Sequence, residues 1–493
     1  MNAIIGSPEP NSNPVSISAL KKLSRASHAS LGQPISKAAG VRSAPDSDAE
    51  AGLLGTYTTS SPLLSAEESL QTAKSLALRV DRYLLQNVAR GLHLEQYYSK
   101  SGIRPVKGES HTDVPLDDYN KLHKIVKCSR TRVRRSVTVH KSLEGNCFYS
   151  GTVVCSSVWA CPVCAAKIQE RRRKEISKGM DYVYNDMKKQ CTMVTLTFPH
   201  TAMDTCKELR EKQKAALTDF RKSGNWSKKM KGYGYEGLIR SLEITHGQKG
   251  WHPHTHELWI MDYFNDDEEI EFKKYILGQW EKACKKHGLL PKGKIRHFRK
   301  HAVDVKFSCS NSDYLAKQDD AKNLHWGIDR EMAKGVFKKS DKQNAPLKGL
   351  HPFQLLDGFS KGQYWMGMKF LEYVEAMYRA RHIYWSTGLK KKCKIEELSD
   401  EELMVKEEEK AIDLTDLDMF AWDKVLEKNA RAEILNIAET DGLPGLIDWF
   451  AKYGIDLFYD YRPSDFKRDD FDQIPKSKHT IVDTVCLDFL STS

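Results

Sequence analysis

The chain has 493 residues, 40% of them hydrophobic, and a formal net charge of +11. That length suits about two to four domains with ordinary buried cores. No run approaches the roughly eighteen apolar residues of a membrane helix, and no basic start leads into an apolar leader, so a cytoplasmic protein is expected. Residues 396–418 carry eleven acids against Lys406 and Lys410, a local net of −9, which leaves +20 on the rest. Such an excess suits a polyanionic partner, and equally an ordinary solvated basic surface. Eleven cysteines without a leader argue for reduced thiols rather than a disulfide framework, and their clustering between Cys128 and Cys164 needs its own explanation.

Residues 1–65 are rich in Ser, Ala, Pro and Gly without a sustained period and are expected to be a disordered tail. A helical N-terminal region, 66–127, follows Ser65, the first residue of SAEESLQTAKSLALRVDRYLL, whose Ser-x-x-Glu is a capping box. A cysteine-rich segment and basic helix occupy 128–189. There Ile168, Ile176, Met180, Val183 and Met187 share one helical face, and Arg171, Arg172, Arg173 and Lys174 lie largely off it.

From 190 to 320 the pattern alternates between periods. MVTLTF (193–198) predicts a strand, KELREKQKAALTDF a helix, 237–245 and 254–261 two strands joined by a glycine-containing loop, 268–285 a helix and 303–308 a last strand. This order predicts an α+β unit with a split βαβ antiparallel sheet and helices on one face. Within the downstream region, 321–395, residues 369–389 read as helical and then extended. The acidic 396–418 stretch reads as a solvated helix or linker, and 419–493 as a helical C-terminal region.

Cys155-x5-Cys161-Pro-Val-Cys164 supplies three thiolates, and its closing Cys-x-x-Cys lets two sulfurs of a tight turn reach one tetrahedral ion. Structural Zn²⁺ is the economical reading. Cys128 is the favoured fourth ligand, with Cys147 and His140 as the other choices, while buried inert cysteines or a redox pair are the alternatives to a metal. Arg171, Arg172, Arg173 and Lys174 follow directly and are candidates for contact with DNA phosphates.

In HPHTH (252–256), His254 and His256 project from the same strand face and can share a metal. Glu243, on the preceding strand, supplies a carboxylate if the two strands form a hairpin. Such a mixed nitrogen and oxygen set suits Mg²⁺ or Mn²⁺ bound to a phosphate. Tyr314 in NSDYLAKQ is the candidate nucleophile, with Lys317 one helical turn on. A tyrosine is otherwise a packing residue, a histidine a satisfied surface or core group, and Glu243 a cross-strand partner for a lysine.

At these residues the chain resembles the HUH endonucleases, and among them the rolling-circle plasmid replication initiators. VTLTFPHT (194–201), LEITHGQKGWHPHTHELW (242–259) and YLAK (314–317) match the family's strand, metal and tyrosine motifs. CSSVWACPVCAAKI (155–168), HPFQLL (351–356) and EYVEAMYRARHIYWSTGL (372–389) match its flanking regions. The resemblance implies a ferredoxin-like or RNA-recognition-like catalytic core. It makes His254, His256 and Glu243 the ligands of Mg²⁺ or Mn²⁺, Tyr314 the nicking nucleophile and Lys317 its assistant. The implied activity is nicking of plasmid origin DNA, single-stranded or in a hairpin, with a 5′-phosphotyrosine link, a 3′-OH primer and later strand transfer. A host helicase and DNA polymerase are the implied partners. Two positions depart from the pattern: Thr255 stands where relatives carry a bulky apolar residue, and Ser310 where some carry a glutamate, with Asp313 the nearest acid. A relaxase or transposase of the same chemistry, and a non-catalytic zinc-dependent DNA-binding regulator, are the rival readings.

Overall fold

The computed structural model describes residues 66–102, 121–222, 225–309, 349–405 and 411–457. The 1–65 tail, Ser65 of the capping box, and Ser310, Asp313, Tyr314 and Lys317 lie outside the described residues. The first helix, α1 (Ala66–Ser101), buries Leu85, Val88, Ala89 and Leu92 at helical spacing. A hairpin of β1 (Val137–Lys141) and β2 (Cys147–Tyr149) leads to α2 (Pro162–Asn185), which buries Ile168, Ile176, Met180 and Val183.

Next come β3 (Gln190–Leu196), α3 (Cys206–Phe220), α4 (Trp226–Gly232), β4 (Gly237–Gly247), β5 (Gly250–Met261), α5 (Asp266–Lys286), α6 (Ile295–His301) and β6 (Val303–Lys306). Both long helices of this stretch start at capping boxes, Thr205 with Glu208 and Asn265 with Glu268. Downstream lie α7 (Pro352–Ser360), α8 (Tyr364–Ala376), β7 (Ile383–Trp385), α9 (Leu389–Lys392), α10 (Asp400–Val405), β8 (Ile412–Leu417), α11 (Met419–Glu427), α12 (Arg431–Thr440) and α13 (Gly442–Ala451). Among the described residues no helix is long and apolar enough to cross a membrane.

The main sheet has the order β6-β3-β5-β4-β7, with every neighbouring pair antiparallel. The helix-bearing connections β3–α3–α4–β4 and β5–α5–α6–β6 each join strands separated by one other strand. Central strand β5 shows the period of two in its burial. Trp251, Thr255, Glu257 and Trp259 are buried, whereas His252, His254 and His256 are only partly so. The first set faces a core of Phe220, Phe272, Trp280, Phe370 and Tyr373.

The expectation of helices on one face needs correction, because the second face is half covered. Met193, Ile239, Leu258 and Ile260 continue the histidine face as apolar positions. They are buried under Ile176, Met180 and Val183 of α2, together with Leu389, Cys393 and Ile395. At Gly179 a Cβ would stand 2.7 Å from the Trp385 ring, so a residue without one lets α2 lie directly on this edge of the sheet. Among the described residues, the cover given by α2 ends where the histidines begin.

A second correction concerns 396–418, which is not one linker or helix. Its end, Ile412–Leu417, is a strand pairing with β1 in a small sheet of order β2-β1-β8. Leu417 is buried with Val137, Val139, Trp422 and Phe450, while Asp413 meets His140 at 2.7 Å and Asp416 accepts from the Thr138 hydroxyl. The acids tolerate a strand because they point outward at β1's polar partners. Tyr83 of α1 joins the same core, so the C-terminal helices pack on the N-terminal helix.

On the buried face of β5, Glu257 accepts a hydrogen bond at each carboxylate oxygen from Arg221, and another from Trp259 Nε1 at 2.9 Å. Glu257→Gln removes the counter-charge and leaves the guanidinium paired with a neutral group. A loss of about 3–5 kcal/mol is expected in denaturant unfolding followed by tryptophan fluorescence, the scale for breaking a buried pair. Unchanged stability would mean that the pair is solvated.

Candidate metal centres

The β4–β5 turn is two residues long, with Gly247 opposite Gly250, and it sets the register of the hairpin. Gly250 sits at φ +81°, and a Cβ there would meet the Thr201 carbonyl at 2.8 Å. The register puts Glu243 opposite His254, Ser241 opposite His256 and Thr245 opposite His252, while β3 puts Thr195 on the other side of His256.

Both imidazoles converge on one carboxylate oxygen. His254 Nε2 and His256 Nε2 stand 3.3 Å and 3.2 Å from Glu243 Oε2. The other ring nitrogens are engaged: His254 Nδ1 lies 3.2 Å from the His252 carbonyl and His256 Nδ1 lies 3.1 Å from Thr195 Oγ1. Donation at Nδ1 leaves an Nε2 lone pair on each ring facing Glu243, the tautomer a metal ligand needs. An ion at about 2.1 Å from its donors in octahedral geometry has adjacent donors about 3.0 Å apart, so this triad fits Mg²⁺ or Mn²⁺. The side chains of His254, His256 and Glu243 are 13%, 29% and 37% exposed, so the triad is only partly buried.

The three groups also pair electrostatically with one another. Burial pushes the Glu243 carboxyl up, but His254 and His256 outweigh it and hold it well below the usual carboxylate range. Burial pulls His254 down, and Glu243 brings it above the ordinary histidine value. His252 is held at about 3 by burial and by His254, so it is neutral at physiological pH. It stacks between His200, at 4.9 Å, and His254, at 4.8 Å, and its Nε2 lies 2.6 Å from Thr197 Oγ1.

His252, Thr195 and Thr197 support the triad without belonging to the ligand set that the motif points to. The signal was present for His252, two residues before His254 on the same strand face. Thr255, the departure in the motif, is buried on the opposite face, where its hydroxyl donates to Glu257 Oε1 at 3.4 Å. A polar residue fits there because a buried carboxylate lies beside it.

The second centre is sulfur-rich and buried. Cys128, Cys155, Cys161 and Cys164 bring their four sulfurs within 4.8 Å of one another. The separations are 3.5 Å for Cys128–Cys164, 3.6 Å for Cys155–Cys164 and 3.9 Å for Cys128–Cys161. Tetrahedral bonds of about 2.3 Å to zinc give sulfur–sulfur edges of about 3.8 Å, so the set fits that ion. Gln86 Nε2 donates to Cys161 Sγ at 3.2 Å, and the N–H of Cys155 donates to Cys128 Sγ at 3.4 Å. The cluster excludes Cys147, whose N–H donates to Glu439, and His140, which pairs with Ser150 and Asp413.

The four basic residues of α2 are differently placed. Arg172 is tied to Glu175, to Asp400 at 2.6 Å and to the Leu398 carbonyl. Arg173 pairs with Glu170, and exposed Lys174 with Glu144. Burial pulls the Arg171 guanidinium down to about 10.

Residues 148–430 match the family model described as "Replication protein". "Protein rep" of Streptomyces lividans is 30% identical over 158 residues, covering 25% of this chain and 33% of that protein. "Protein rep" of Staphylococcus aureus is 33% identical over 125 residues, covering 24% of this chain and 50% of that protein. The "Neomycin resistance protein" of Streptomyces cyanogenus is 27% identical over 136 residues, covering 22% and 31%. The chain thus spans a third to a half of the length of these relatives. No solved structure matches.

Proposed function

The chain belongs to the replication protein family, rolling-circle initiators of the HUH endonuclease class, and from that premise we propose that it starts plasmid replication by nicking one strand of the origin through Tyr314. The observation that carries the reading is the convergence of His254, His256 and Glu243 on one point of an open sheet face. The order β6-β3-β5-β4, with helix-bearing connections between non-neighbouring strands, fits the ferredoxin-like core of such enzymes.

When bound at the triad, Mg²⁺ or Mn²⁺ supplies Lewis-acid polarisation of the scissile phosphate. Glu243, His254 and His256 hold the position, and Thr195 and the His252 carbonyl orient the two rings. The Tyr314 phenol gives up its proton and its oxygen attacks phosphorus, so that a new P–O bond forms as the bond to the 3′ oxygen breaks; that oxygen takes up a proton to become the 3′-OH, and Lys317 is the proposed assistant. Chain length permits this. The N–H of Cys309 donates to the Cys191 carbonyl, and Tyr314 follows within a contour of about 18 Å. The Thr195 row, which holds His256, is about 13 Å along β3 from Cys191.

The product is a 5′-phosphotyrosine and a free 3′-OH, which a host polymerase with a helicase extends before strand transfer rejoins the displaced circle. Cys128, Cys155, Cys161 and Cys164 would hold a structural zinc, and Arg171, Arg173 and Lys174 would present positive charge to origin DNA, Arg173 and Lys174 exchanging Glu170 and Glu144 for phosphate.

The test is conversion of supercoiled plasmid carrying the origin to open circles. Nicking should require Mn²⁺ or Mg²⁺ and stop with chelator. Origin binding without nicking under any divalent ion would make the protein a DNA-binding regulator.

A further inference from the structure

Arg431, at the start of α12, is 1% exposed. Burying a guanidinium is costly unless it is hydrogen-bonded and its charge is balanced. Its acceptors are neutral: Gln86 Oε1 at 2.7 Å, Asn87 Oδ1 at 2.6 Å and the Ser129 carbonyl at 3.0 Å, with the Tyr83 ring beneath it at 4.9 Å. Among the described residues no carboxylate forms an ion pair with it. The side-chain amide of Gln86 that receives Arg431 on its oxygen donates from its nitrogen to Cys161 Sγ. Ser129, the other anchor, follows Cys128 directly and sits at φ +52°.

We propose that Arg431 is the counter-charge of a metal–thiolate centre at Cys128, Cys155, Cys161 and Cys164, and that metal binding at this centre docks the C-terminal helices onto the rest of the protein. Four thiolates around Zn²⁺ carry two net negative charges. The Gln86 amide links that charge to the guanidinium, polarised from both ends. With four neutral thiols instead, Arg431 would be buried opposite no anion, and the C-terminal helices would bring in an uncompensated charge. Trp422 adds a second grip on the same loop, donating from Nε1 to the Arg130 carbonyl at 2.7 Å. The Ser129–Arg130 backbone that follows the first ligand is therefore held by two C-terminal residues. Losing the metal loosens that loop and with it both grips.

The inference rests on the zinc reading, and the experiment separates them. Full-length protein is purified without chelator, its zinc content is measured, and hydrogen exchange is followed with and without zinc removal. About one equivalent of zinc is expected. Removal should raise exchange across residues 419–451 while β3, β4 and β5 stay protected. Arg431→Gln should weaken zinc binding at least about ten-fold in chelator competition, the scale for a group supporting a metal ligand, and Arg431→Lys should weaken it less. Stoichiometric zinc with unchanged exchange at 419–451 on removal, or Arg431→Gln binding zinc as wild type does, overturns the coupling. Absence of zinc from wild type overturns the centre itself. If Arg431→Gln does not fold, the exchange measurement on wild type decides.

Discussion

Tyr314→Phe is expected to fold, to bind origin DNA as wild type does and to cleave at a rate lower by about 10⁴-fold or more, the scale for losing a covalent nucleophile. Phenylalanine keeps the ring and removes the oxygen proposed to attack the phosphate. Wild type incubated with a labelled single-stranded origin oligonucleotide and Mn²⁺ should carry label after denaturation, and mass spectrometry should map it to the peptide containing Tyr314. The geometry disfavours Tyr373 as the alternative. It is buried, stacked on Trp251 at 6.0 Å, and its phenol is pushed well above its ordinary range by burial. Label on Tyr364 or Tyr373 would move the active site, and cleavage with no adduct under any trapping condition would replace tyrosine attack with water.

Alanine at His254 or His256 should reduce nicking by roughly 10²–10³-fold under limiting Mn²⁺, the scale for removing one preorganised electrostatic contact from a transition state. Neither ring fills the core, since the buried side of β5 is built from Trp251, Thr255, Glu257 and Trp259, so both variants should keep the wild-type circular dichroism spectrum and most origin binding. Glu243→Gln keeps an oxygen donor but lowers its charge, and the divalent-ion requirement should shift to higher concentration. Wild-type rates from both histidine variants would remove the triad from the chemistry.

Several features were legible in the residues because they depend on local periodicity. His252, His254 and His256 recur every second position, so their shared face follows from strand geometry before any neighbour is known. Cys161 and Cys164 lie at the start of a helix that Pro162 opens, and the turn alone brings their sulfurs together. Ile168, Ile176, Met180 and Val183 marked the buried side of α2 by spacing. The capping boxes at Thr205 and Asn265 show the same local logic.

What only the tertiary structure decided involves partners distant in sequence, whose pairing depends on loop closure and the competition among burial sites. Glu243 faces His254 because a two-residue turn sets the register, and a slip of one residue would turn its carboxylate to the helix side. Cys128, rather than Cys147, joins the thiolate cluster because β2 commits Cys147 to the core shared with Trp422 and Phe450. The acidic segment ends as a strand because β1 offers an unpaired edge, which no count of charges reveals. Arg172 looked like a DNA contact and is drawn to Asp400, 228 residues away, because a half-buried guanidinium is stabilised by the anion the fold places beside it. Local pattern determined the chemistry available on each element. Long-range packing decided which elements meet, ending α2's cover where the histidines begin and bringing Arg431 next to the cysteines.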